Sequence, residues 1–103
     1  MNVAQQLEGA LPGKELVLQG LADLAEDNLS EPALLLLVAA PRLRELGLQV
    51  PEKPGTKPWE HMLYERLEER LGPGAHSFYN SLIRRIVSFA RALEHQKRRN
   101  RTQ

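Results

Sequence analysis

A chain of 103 residues, 42% of them apolar, has the material for one domain, near the lower end of what closes a core unaided. Cysteine is absent, which excludes disulfides, thiolate catalysis and cysteine-ligated zinc, and suits a reducing, cytoplasmic setting. The formal net charge of +1 conceals a division. From Arg84 to Gln103 seven basic residues stand against Glu94 alone, a net of +6, while the remaining residues sum to −5.

At the N-terminus Asn2 is placed to cap a short helix in which Val3, Leu7 and Leu11 recur every four residues, with Pro12-Gly13 as its stop. No charged start leads into an apolar run there, so no secretory signal is expected. A second helix is expected from Lys14 to about Asn28, with Val17, Leu21 and Leu24 inward and Gln19, Asp23, Glu26 and Asp27 outward. Gly20 sits in its middle at a cost of about 1 kcal/mol relative to alanine, which a close helix crossing would explain.

Ser30-Glu31-Pro32 combines a cap, an acid at the positive end of the helix dipole and a proline in the first turn. The following run, Ala33 to Ala40, is apolar on every side, as expected of a central helix buried all round. It falls far short of the roughly 20 residues that span a bilayer. Pro41 is expected to kink or stop this helix, leaving Arg42 to Leu46 as a further turn or two before Gly47.

Gln49 to Pro58, with three prolines and a glycine, reads as a connector and the place where mobility or proteolysis is expected. It divides the N-terminal helices (1–48) from a C-terminal helical hairpin with a basic tail (59–103). In the hairpin's first helix Trp59, Leu63, Leu67 and Leu71 share a stripe, and Glu60, Glu65, Glu68 and Glu69 face out, mixed with Arg66 and Arg70. Gly72-Pro73-Gly74 signals a break, with Ser77 as cap of the last helix. There Phe78, Tyr79, Leu82, Ile83, Ile86, Phe89, Ala90 and Leu93 form one arc. Arg84, Arg91 and Arg98 stripe the opposite face about 10 Å apart. Past Leu93 the apolar pattern stops, so the helix is expected to leave the body or to fray over Lys97 to Gln103. The expectation is an all-α bundle of four to six helices with a long amphipathic, basic last helix.

Catalytic patterns are missing. Gly13-Lys14-Glu15 lacks the hydroxyl residue and upstream glycine of a phosphate loop, and Gly72-Pro73-Gly74 has a proline where a donor is needed. His61, Glu65 and Glu69 share a helical face and could contribute to a metal site, although a glutamate-rich helix places such neighbours by chance. His76 and Ser77 are adjacent and so point apart. The chain is therefore expected to be non-enzymatic, with no cofactor, metal or small-molecule substrate.

Two classes of partner remain. The leading expectation is a helical interaction or assembly subunit, self-associating as a homodimer or docking on another protein through Tyr79, Leu82, Ile86, Phe89 and Leu93. The alternative is a nucleic-acid-binding accessory protein contacting phosphates through Arg84, Arg85, Arg91, Lys97, Arg98, Arg99 and Arg101. A helix-turn-helix version, with Ser77, Asn80, Ser81 and Arg84 at base edges, is disfavoured because outward glutamates on its first helix would meet the phosphate backbone. A plainer reading pairs Arg84 or Arg85 with those glutamates across the hairpin, or leaves the basic run simply solvated.

Overall fold

The computed structural model describes residues 11–55 and 57–101, with side chains through residue 99. The helix expected over Asn2 to Leu11 lies outside this range except for Leu11. Helix α1 is Lys14–Ala25 and α2 is Glu31–Glu45. Helix α3 is the long C-terminal one: a first arm, Trp59–Leu71, runs through a 3₁₀ turn, Gly72–Gly74, into a second arm, Ala75–Arg101.

The expected count of four to six helices is thereby corrected, since the described residues fold as three helices. The physical reason lies at Gly72-Pro73-Gly74. Gly72 takes φ +58°, open to glycine at little cost, and Pro73 sits at the second position of the 3₁₀ turn, still within the first turn where a missing N–H is no loss. The Ala75 N–H closes the turn on the Gly72 carbonyl, so a bend replaces a loop. Ser77 is not the cap: the second arm starts at Ala75, itself only 1% exposed. The arms meet beside the bend, where the Tyr64 ring packs edge-on against Tyr79 with centroids 5.6 Å apart.

Helix α2 is central. Leu34, Leu35 and Leu36 are completely buried, and the helix packs on α1 and on both arms of α3. Ser30 caps it, accepting the Ala33 N–H at 3.2 Å while its hydroxyl donates to Asp23 at 2.5 Å. Pro41 neither stops nor splits α2, which continues to Glu45. Buried Ala40 and Leu43 on either side of it hold the helix against the core, and that packing outweighs the one backbone bond proline lacks. The helix ends in a Schellman motif: Leu48 N–H reaches the Leu43 carbonyl, Gly47 N–H reaches that of Arg44, and Gly47 takes φ +95°. Buried Leu43 and Leu48 supply its apolar contact.

Helix α1 crosses α2 at Gly20, where a Cβ would stand 2.7 Å from the Pro32 carbonyl oxygen and 2.8 Å from Leu36 Cγ. The crossing inferred from residue size is therefore real. The proline-rich connector is tied down at several points. Val50 is buried, and the Arg44 guanidinium donates to the Val50 and Pro51 carbonyls at 3.0 and 3.3 Å. Lys53 pairs with Asp27, and the Trp59 ring lies against Gly55. No described helix is long and apolar enough to cross a membrane.

Candidate nucleic-acid interface

The second arm of α3 buries Leu82, Ile86, Phe89, Ala90 and Leu93 against the other helices, so its solvent face is fixed by default. On a helix with 100° between residues, Ser77, Ser81, Arg84, Ser88, Arg91, His95 and Arg98 fall on the side opposite that buried arc. Arg84, Arg85, Arg91, Lys97, Arg98 and Arg99 are all exposed. The helical backbone continues to Arg101, whose side chain is outside the described residues.

The surroundings of these cations differ. Neither Arg84, Arg85 nor Arg91 has a hydrogen-bonding or ionic partner among the described residues. The pairing with first-arm glutamates is not formed: Arg70 takes Glu31 in a bidentate pair at 2.6 and 2.8 Å, and Lys57 takes Glu65 at 3.3 Å. Lys97 turns to the end of α2, its Nζ 3.0 Å from where a Cβ on Gly47 would stand. There the ammonium faces the negative end of the α2 dipole.

Glu94, the one acid of the arm, is held between two guanidiniums, Arg42 at 2.9 Å and Arg98 at 3.3 Å. The hydrogen bond from Arg42 holds its carboxyl below the usual glutamate range. Its charge is thus spent inside the molecule. Arg42 reaches Glu94 from α2 while also pairing with Glu45 at 3.3 Å, a link that spacing along the last helix could not reveal. The sequence signal was only that Arg42 lies near the C-terminal end of α2.

The candidate partner-binding residues are placed differently. Leu82 and Ile86 are each 4% exposed, Leu93 1% and Phe89 0%, and Tyr79 is half-buried against Tyr64. Burial raises the Tyr79 hydroxyl pKa, with the Glu60 charge adding to it. The arc closes on its own core because α2 and both arms of α3 converge on it. Of the large apolar residues among those described, Phe78 and Val87 remain exposed, and the Arg70 guanidinium covers the Phe78 ring at 5.3 Å.

His61, Glu65 and Glu69 do not assemble as a site. Among the described residues no three potential ligands are grouped to hold a metal ion, and Glu65 is turned to Lys57. Comparison with family models, curated proteins and solved structures finds no match to this chain. The functional reading therefore rests on the molecule's own chemistry.

Proposed function

We propose that this chain is a non-enzymatic, cytoplasmic nucleic-acid-binding accessory protein that contacts phosphates through the outer face of the second arm of α3. One observation carries the reading: the face presents exposed arginines from Arg84 to Arg99, and the arm's only carboxylate, Glu94, is engaged by Arg42 and Arg98. Arginine suits this task because its planar fork gives two parallel bonds to one phosphate. A rigid helix holds the forks in register, so less side-chain entropy is lost than along a flexible run of charge. The contacts are to the backbone rather than to base edges, since the glutamates on the first arm are exposed and would resist entry of that arm into a groove.

The assembly-subunit expectation has less support, because the residues it relied on lie in the core. Fluorescence anisotropy with labelled mixed-sequence DNA and RNA, single- and double-stranded, separates the two. Three phosphate contacts on a duplex give a log–log salt slope of about −2.7, so affinity should fall about 40-fold between roughly 50 and 200 mM salt. Arg91→Glu with Arg98→Glu should abolish binding while leaving helicity by circular dichroism unchanged. No binding to any of the four at low salt would sink the reading and turn attention to protein partners.

A further inference from the structure

Just before α1 the chain crosses the second arm of α3 at Gly13, where a Cβ would stand 3.3 Å from the Arg85 carbonyl oxygen and 3.7 Å from Phe89 Cβ. Glycine suits this close passage, with φ at +77° in the left-handed region that other residues rarely adopt. Beside the crossing opens a cleft of about 310 Å³ lined by Pro12, Gly13, Ser81, Arg84, Arg85 and Ser88. The last four sit at positions i, i+3, i+4 and i+7 of one helix, so two guanidiniums and two hydroxyls edge the same opening. Among the described residues the lining includes no carboxylate, and neither guanidinium is paired.

We propose that this cleft is the seat of a single phosphate group. The inference rests on the nucleic-acid reading and deepens it: one backbone phosphate enters here, while Arg91 and Arg98 meet others farther along the arm. Chemically the set is complementary. Two guanidinium forks match a tetrahedral anion with several acceptor oxygens, and the serine hydroxyls add neutral donors on either side. A cleft of this size is about ten times a water's ~30 Å³ share of the liquid, which accommodates a phosphate with part of its hydration. Arg91 and Arg98 stand on open helix surface and give attraction without a seat, so the cleft is what would fix register.

The test is an amide NMR titration of the full chain with inorganic phosphate at low ionic strength, with chloride at matched ionic strength as the control. Saturating shifts centred on Gly13, Ser81, Arg84, Arg85 and Ser88 are expected. Arg85→Gln should weaken them at least fivefold and Ser88→Ala at least twofold, whereas Arg91→Glu should leave them in place. Shifts that rise linearly without saturation, that spread evenly to Arg91 and Arg98, or that chloride reproduces would overturn the seat. Polynucleotide binding with an unresponsive cleft removes the seat and leaves the interface. A responsive cleft without polynucleotide binding supports the seat and assigns it to a small phosphate compound instead.

Discussion

Gly20 has room for a hydrogen and nothing larger. Substituting alanine would gain about 1 kcal/mol in helix propensity and force a methyl group to within 2.7 Å of the Pro32 carbonyl oxygen. Overpacking of that kind costs about 1–3 kcal/mol, and backbone cannot move aside as a flexible side chain would. Gly20→Ala is therefore expected to lower the urea midpoint with an unchanged m-value, a net loss of up to about 2 kcal/mol. A raised midpoint would mean that α1 and α2 lie farther apart. Glu94 offers a second check at this scale. Its carboxyl is held below the glutamate value of the unfolded chain, mainly by Arg42, so its contribution is complete above about pH 4.3 and disappears as pH falls through the lowered native value. The stability difference between the native chain and Glu94→Gln should be visible at pH 7 and close in more acid solution. A difference that stays constant down to pH 3 would contradict the pairing.

At the scale of elements, α2 shows local signals and tertiary packing in competition. Pro41 is exposed within a continuous helix, so its ring contributes little to the core, and it leaves the Leu37 carbonyl without its usual donor. Pro41→Ala should raise stability by about 1–2 kcal/mol, the regained bond and propensity being offset in part by a freer unfolded chain. Thermal unfolding followed at 222 nm would show it, and a fall in Tm would mean that proline's φ is needed there. The same competition explains what the residues disclosed and what they hid. The Ser30 cap, the all-apolar run after it and the Gly20 crossing were legible because each is a short-range signal with one cheap structural solution. The fate of Pro41 and of Gly72-Pro73-Gly74 was not. Both are breakers by local rule, and in each case the outcome depended on what the flanking residues pack against. The arc of Tyr79, Leu82, Ile86, Phe89 and Leu93 was read correctly as apolar, but periodicity does not say whether an apolar arc meets its own chain or another. Among the candidate phosphate contacts the arginines of the last helix were visible as a run. The Arg42–Glu94 pair was hidden by its distance in sequence, and the cleft at Gly13 by the fact that two remote segments form it.

For the whole molecule the governing feature is polarity of charge laid on a single helix. The first arm of α3 carries exposed Glu60, Glu65, Glu68 and Glu69 against Arg66 and Arg70, and the second carries exposed arginines against Glu94, with the bend at Gly72–Gly74 between them. A polyanion would be drawn to the second arm rather than the first, so its approach would be oriented before contact and association should slow as salt rises. One arrangement within that surface bears on how such a ligand would be accommodated. Glu94 has two guanidinium partners where one would suffice. If Arg98 swings to a phosphate, Arg42 still satisfies the carboxylate, and no unpaired charge is left behind. The triad is redundant by one member, and that redundancy would make Arg98 an exchangeable cation: parked on its own protein when alone, free to turn to a ligand without disturbing the fold that carries it.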